Sequence, residues 1–271
     1  MAYILTPAIS ALAGVAKYIF KIGPARTTAT EPSSATGLAG RRNTLIIGAK
    51  QGIGLNLAKR LKEKGWNVYA SVRTLNDPQN QEIRDISKSL FVVELLQEDT
   101  IMSAATAWGE TPLDLLIVCA GVGPLPEDMW EHTTEILVEK FRVNAVGPYL
   151  VTKHFRPALE RSRAGKIITI SSNVASLTSR DGNRRGGSLG YRLSKTALNQ
   201  LTVSLSRALA FEGSNITVHA IHPGWIPTTM SGFTGPDDME TQITLMTDTI
   251  ERLGADDSGR FLKANGEDFP W

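Results

Sequence analysis

Tyr191 and Lys195 stand four residues apart in Gly190-Tyr191-Arg192-Leu193-Ser194-Lys195-Thr196-Ala197-Leu198-Asn199, a stretch with helical periodicity. Four residues make about one helical turn, so the two side chains share a face. A phenol that ionises near pH 10 is a poor acid-base group at neutral pH, but a neighbouring ammonium favours the phenolate and is expected to lower its pKa. Ser171-Ser172 closes an apolar, β-branched run, which sets a hydroxyl at the carboxyl edge of a sheet, where open α/β folds bind ligands. Asn144, in Phe141-Arg142-Val143-Asn144-Ala145-Val146-Gly147, is polar on an otherwise apolar helical face. Its simplest duty is to satisfy a buried backbone group.

A second constellation suits a phosphate. Gly48-Ala49-Lys50-Gln51-Gly52-Ile53-Gly54 follows the apolar run Thr44–Ile47 and leads into a helical run from Leu55. Pyrophosphate needs close backbone approach and free N–H groups at a helix N-terminus, and a Cβ at the glycine positions would obstruct both. Sheets that bind NAD carry Asp or Glu about 20 residues further on, to accept from the ribose 2′-hydroxyl. Here Val68-Tyr69-Ala70-Ser71-Val72-Arg73 ends on Arg73, and the next acid is Asp77. A guanidinium binds a 2′-phosphate with paired, charge-assisted hydrogen bonds, and Lys50 offers a second cation. The expected cofactor is therefore NADP(H).

The elements that must carry these groups are legible in the pattern of apolar runs. Thr44–Ile47, Asn67–Val72, Leu90–Val93, Leu113–Val118, Lys166–Ile170, Ile216–Ile221 and Arg260–Leu262 are strand candidates, bounded mostly by Gly, Pro or Asp. Amphipathic stretches such as Gly54–Lys64 and Leu189–Phe211 separate them. That alternation predicts an α/β fold, a single doubly wound Rossmann domain on a seven-stranded parallel sheet. Residues 41–271 are assigned to this domain and residues 1–40 to an N-terminal extension.

Composition narrows the function classes. The 271 residues are 42% hydrophobic and 21% charged with a formal net charge of +2, an ordinary globular balance. Basic and acidic residues are interspersed, so no electrostatic footprint for nucleic acid is expected, and Arg184-Arg185 in a glycine-rich stretch reads as solvated charge. One cysteine, Cys119, excludes an intrachain disulfide, and four His without ligand-like spacing give no reason to expect a metal. The first 38 residues hold a single acid, Glu31, among Lys17, Lys21, Arg26 and many Ala, Ser and Thr. That composition fits either a surface extension or an organelle-targeting presequence, so the expected location is cytoplasmic, or organellar if the segment targets. Pro7, Lys17 and Lys21 interrupt or bound its apolar stretch, so no stable membrane span is expected.

Taken together, the glycine loop, Asn144, Ser172, Tyr191, Lys195 and His222-Pro223-Gly224 resemble the short-chain dehydrogenase/reductase family over about Asn43 to Trp271. Within it, Tyr191-Arg192-Leu193-Ser194-Lys195, Pro223-Gly224-Trp225 and the Pro270-Trp271 ending resemble the C-factor/sniffer-like carbonyl reductase branch. The resemblance implies an oxidoreductase that interconverts a ketone or aldehyde and an alcohol by hydride transfer. It implies that Ser172 binds the substrate oxygen, Tyr191 moves its proton, Lys195 holds the nicotinamide ribose and Asn144 anchors a proton-relay water. It further implies that Gly48, Lys50, Gly52, Ile53, Gly54, Arg73, Glu94, Ala120, Gly121, Asn144, Tyr191, Lys195, Pro223, Gly224, Ile226 and Thr228 contact the cofactor, with Glu94 near adenine and Thr228 at the nicotinamide amide.

Three departures stand out. Ile47 replaces the threonine usual before the first glycine, Val118-Cys119-Ala120-Gly121 replaces the usual Asn-Asn-Ala-Gly, and Tyr191 follows Ser172 by 19 residues, with extra length in 180–187. That insert is expected to border the substrate. Leu125, Leu177, Phe233 and Trp130, with Met129, Met230, Met239 and Met246, suggest an apolar ligand site. A homodimer or homotetramer is expected through Leu198, Leu201, Leu205 and Leu209. The competing reading is a catalytically silent NADP-binding scaffold or redox sensor, which the intact Tyr191 and Lys195 disfavour.

Overall fold

In the computed structural model, which describes residues 41–179 and 186–271, the β-branched runs become seven parallel strands. These are β1 (Asn43–Ile47), β2 (Asn67–Val72), β3 (Leu90–Val92), β4 (Leu115–Val118), β5 (Lys166–Ile170), β6 (Thr217–His222) and β7 (Phe261–Lys263). The expectations for residues 1–40 and for most of the insert, 180–185, lie outside the described residues. Strand boundaries differ little from the sequence reading. β4 starts at Leu115 and not at Leu113, because the Leu113 amide donates to the Ala158 carbonyl at 2.9 Å and not into the ladder.

Seven α-helices link or flank the strands: α1 (Gly52–Glu63), α2 (Gln81–Ile86), α3 (Glu98–Trp108), α4 (Thr134–Phe141), α5 (Gly147–Glu160), α6 (Leu189–Phe211) and α7 (Met239–Arg252). Side chains alternate across each strand, so the sheet is apolar on both faces. Ile46, Ile117, Ile168 and Ile221 meet Leu57 and Leu61 of α1 and Ile243, Met246 and Ile250 of α7. Leu45, Ile47, Leu116 and Ile167 meet Ile101 of α3, Val151 and Phe155 of α5, and Leu209 of α6. Each fully buried Ile or Leu contributes about 1.5–3 kcal/mol, so both helical layers are firmly seated.

The strand order is β3-β2-β1-β4-β5-β6-β7. The chain winds outward from β1 to β3, returns to lay β4 beside β1, and then winds the other way. Loops leaving the carboxyl ends of β1 and β4 therefore part to opposite sides and open the crevice in which such sheets take ligands.

Two expectations about exposed apolar residues need correction. Leu198 and Leu209 of α6 are only 1% and 4% exposed, and Leu205 packs against the second core, so these three face inward and leave only the partly buried Leu201 of the row for a partner. The apolar stripe of an amphipathic helix docks on its own sheet first. Likewise Met246 is fully buried and lines no ligand site, and Met239 is partly buried against the first core. Among the described residues no helix is long and apolar enough to cross a membrane.

Candidate active site

The glycine loop is shaped by contacts that leave no space for side chains. Gly48 has φ +84°, and a Cβ there would meet Ala120 at 2.7 Å, so this glycine lets the turns after β1 and β4 touch. A Cβ on Gly54 would sit 2.2 Å from the Gly48 carbonyl oxygen. Ser71, buried at the end of β2, accepts the Gly48 amide on its hydroxyl at 3.1 Å and the Ala49 amide on its carbonyl at 3.3 Å. Gln51, at the N-cap of α1, makes no side-chain hydrogen bond to the first turn, and that turn carries no acid. Its amides and the helix dipole thus offer a seat for phosphate. Ile53 packs on the first core and anchors the helix start. Across the loop, Thr228 lies 3.7 Å from where a Gly52 Cβ would be.

The catalytic candidates converge beyond this loop. Ser172, just past β5, caps a short 3₁₀ turn by accepting the Val174 amide at 3.4 Å, and its hydroxyl lies near enough to the Tyr191 phenol to favour the ionised form. On α6 the Lys195 ammonium lies 5.7 Å from the centre of the Tyr191 ring and donates to the Ile170 carbonyl at 2.8 Å. The expected fall in the phenol pKa is not what this arrangement produces. Burial pushes Tyr191 up to about 12, only partly offset by the Ser172 hydroxyl, and burial pulls Lys195 down to about 8. Desolvation disfavours each charged form and is the largest cause of both shifts.

Asn144 takes the backbone duty expected of it. It is fully buried in a π-helical turn, Arg142–Val146, that joins α4 to α5. Its Oδ1 accepts the Val122 amide at 2.9 Å, and its Nδ2 donates to the Val122 carbonyl at 3.1 Å and the Ser194 hydroxyl at 3.0 Å. The loop after β4 is thereby pinned to α6, three residues beyond Tyr191. Gly121 lies between: a Cβ there would be 2.9 Å from Asn144 Oδ1 and 3.6 Å from Lys195 Nζ. Cys119, which departs from the family pattern, accepts the Gly54 amide, and burial raises its thiol to about 11.

The sequence profile described as short chain dehydrogenase matches residues 42–238. This chain belongs to that family. Among curated proteins it is 34% identical over 160 residues to C-signal of Myxococcus xanthus, covering 59% of this chain and 93% of that one. It is 29% identical over 216 residues to Dehydrogenase/reductase SDR family member 4 of Homo sapiens, with coverage of 78% and 75%. Among solved structures, the NADPH bound carbonyl reductase from chicken fatty liver superposes with a TM-score of 0.79 at 28% identity, covering 85% of this chain and 99% of that one. The carbonyl reductase Sniffer of D. melanogaster gives 0.77 at 27% identity, covering 86% and 100%. These likenesses agree with the branch read from the motifs.

The remaining candidate residues of this short-chain dehydrogenase occupy the turns after β2, β3 and β6. Gly224 turns the chain after β6 at φ +96°, with Pro223 and Ile226 buried beside it. Glu94, past β3, spends its carboxylate on the Leu96 amide of its own turn at 3.3 Å. Arg73 is exposed at the end of β2, near Asp77, whose carboxylate pairs with Lys50 at 2.5 Å. Leu125, Trp130, Leu177 and Phe233 are 68–88% exposed, while Met230 packs on Gly123 and Met129 on Gly186. Sequence reasoning missed Lys140 of α4, a buried lysine that donates to the Gly123 carbonyl at 2.6 Å and packs its stem against Gly190. It also missed the grip of Ser71 on the glycine loop, for which a lone hydroxyl in an apolar strand was the only signal. Lys140 carries no comparable mark, being one of many lysines on amphipathic helices.

Proposed function

We propose that this chain is an NADPH-dependent oxidoreductase that reduces a ketone or aldehyde, or oxidises the matching alcohol, with Tyr191 as general acid/base. The observation that carries the reading is the Lys195 ammonium 5.7 Å from the centre of the Tyr191 ring, with the Ser172 hydroxyl near the phenol. NADPH-bound and NADP-bound carbonyl reductases among the structural neighbours support the cofactor class. The glycine cradle fits a dinucleotide, because Gly48 and Gly54 let the turns after β1 and β4 and the start of α1 close on one another, with no side-chain cap or acid at the first turn of α1 to compete with phosphate. Gly48, Gly52, Ile53 and Gly54 would hold the pyrophosphate, Arg73 and Lys50 the 2′-phosphate, and Ala120, Gly121, Pro223, Gly224, Ile226 and Thr228 the nicotinamide half.

Bound NADPH would supply hydride to the carbonyl carbon. Ser172 and Tyr191 would both donate to the carbonyl oxygen, and as charge builds there the phenol would hand over its proton. The phenol held protonated to about pH 12 favours reduction near neutral pH, since a donor is what that direction needs. Lys195 would steady the resulting phenolate, which is the charge its ammonium is placed to meet. The exposed apolar side chains Leu125, Leu177 and Phe233 support an apolar substrate.

We also propose that two copies pair along α4 and the start of α6, where Val138, Phe141 and Leu193 are about half exposed (49%, 48% and 53%). A monomer at micromolar concentration in sizing experiments would refute pairing. The test of function is a panel of ketones and aldehydes with NADPH and NADH, read by loss of nicotinamide absorbance. Turnover with a carbonyl and a strong preference for NADPH that Arg73→Ala erodes are expected. Equal use of both cofactors would overturn the cofactor assignment, and no turnover of any carbonyl would return the silent-scaffold reading.

A further inference from the structure

Lys50 leaves the glycine loop and ends on the Asp77 carboxylate, a contact between the first crossover and the loop after β2. Both side chains are about three-quarters buried, at 27% and 25% exposure. Asp77 is held in place from several sides. Its other oxygen accepts the Gln79 amide at 2.9 Å, capping the 3₁₀ turn Pro78–Asn80. Fully buried Asn80 donates to the Thr74 and Leu75 carbonyls, and Arg84 also donates to Leu75, so the segment from Arg73 to Asp77 is tied down. Arg73 lies close enough to stabilise the same carboxylate. One anion therefore sits among the two cations assigned to the ribose 2′ position.

Resting on the NADPH reading, we propose that Asp77 is the resident counter-ion of these cations and sets how strongly the chain discriminates phosphorylated from unphosphorylated adenosine. In the free protein it neutralises Lys50. A 2′-phosphate, with close to two negative charges and three acceptor oxygens, displaces one carboxylate from Lys50 and Arg73. A 2′-hydroxyl does not, so an unphosphorylated adenosine meets a neutralised surface. Because the displaced carboxylate stays anchored at the turn, it also repels the incoming phosphate and weakens its binding. Arg73 and Asp77 thus act with opposite sign on one ligand group.

The test is calorimetric titration of the full chain with adenosine 2′,5′-bisphosphate and adenosine 5′-monophosphate, which differ by the 2′-phosphate and need no turnover. Asp77→Asn keeps an oxygen for the Gln79 amide and so preserves the cap. It is expected to tighten the bisphosphate about fivefold while leaving the monophosphate within about twofold, an effect that shrinks with added salt. Unchanged or weaker bisphosphate binding would overturn the proposal. So would loss of monophosphate affinity, which would make Asp77 an acceptor for the 2′-hydroxyl. Arg73→Ala separates the two levels: if it leaves bisphosphate affinity unchanged, the phosphate site itself is misassigned and the role of Asp77 falls with it. If Arg73→Ala weakens the bisphosphate and Asp77→Asn does nothing, only the counter-ion role fails.

Discussion

The Lys195 ammonium stands 5.7 Å from the centre of the Tyr191 ring, one helical turn along α6. Tyr191→Phe deletes one hydroxyl from a site that keeps its shape. Turnover is expected to fall by about 10²–10⁴, with the circular dichroism spectrum and nucleotide affinity unchanged. Retention of most of the wild-type rate would remove Tyr191 from the mechanism.

Lys195→Ala is expected to lose as much rate and also nucleotide affinity, since the ammonium beside the phenol is the group assigned to the nicotinamide ribose. Nucleotide titration checks the second part. An affinity equal to that of wild type would confine Lys195 to the phenol.

The glycines of the loop are not equivalent. Gly54→Ala places a Cβ 2.2 Å from a backbone oxygen that cannot move without the loop, whereas Gly52→Ala meets nothing nearer than 3.7 Å and suffers only from φ +58°. The first is expected to destabilise by about 3 kcal/mol or more, the second by about 1–2 kcal/mol. Urea midpoints measure both, and equal losses would contradict the packing described.

His219 on β6 is fully buried, and desolvation, helped by Lys166, lowers its pKa from 6.5 to about 4. Between those values the unfolded chain takes up a proton that the fold refuses. This contribution to stability is therefore whole above pH 6.5 and declines as the pH falls toward 4, by about 1.4 kcal/mol per unit at most. His219→Gln is expected to flatten the urea midpoint across that window. An identical slope in the variant would assign the acid sensitivity to other groups.

Removal of Met1–Leu38 is expected to leave a folded and active enzyme, because all seven strands of the described sheet and each candidate site residue lie after Arg42. A soluble truncation without activity would place the extension in the site.

Much of this was legible in the sequence because it is local. The bounds of α6 follow from helical periodicity, and the glycine loop from a strand-to-helix junction. What escaped depends on contacts between distant segments. The inward turn of Leu198 and Leu209 could not be told from an outward one, since a leucine row suits a sheet and a partner equally. Burial of Lys195 and desolvation of Tyr191, which reverses the expected direction of the phenol shift, come from segments distant in sequence: the turn after β4 at Gly121 and the end of β5 at Ile170 and Ser172 meet α6 there. Asp77 was visible as the next acid after Arg73, but its pairing with Lys50 needed the turn that brings residue 77 back to residue 50.

The neighbours of β1 have a kinetic side. It pairs with β2 in a register that sets Asn43 against Asn67, but with β4 in one that sets Thr44 against Leu115. Closing the longer loop costs about 1 kcal/mol more than closing the shorter, before any packing offsets it. Strands β1 to β3 are thus expected to gather early during refolding and β4 to join later, so the crevice between β1 and β4 is among the last features to form. Pulse-labelled hydrogen exchange would show it: amides of β2 protected ahead of those at the end of β4, with simultaneous protection arguing for a single concerted step.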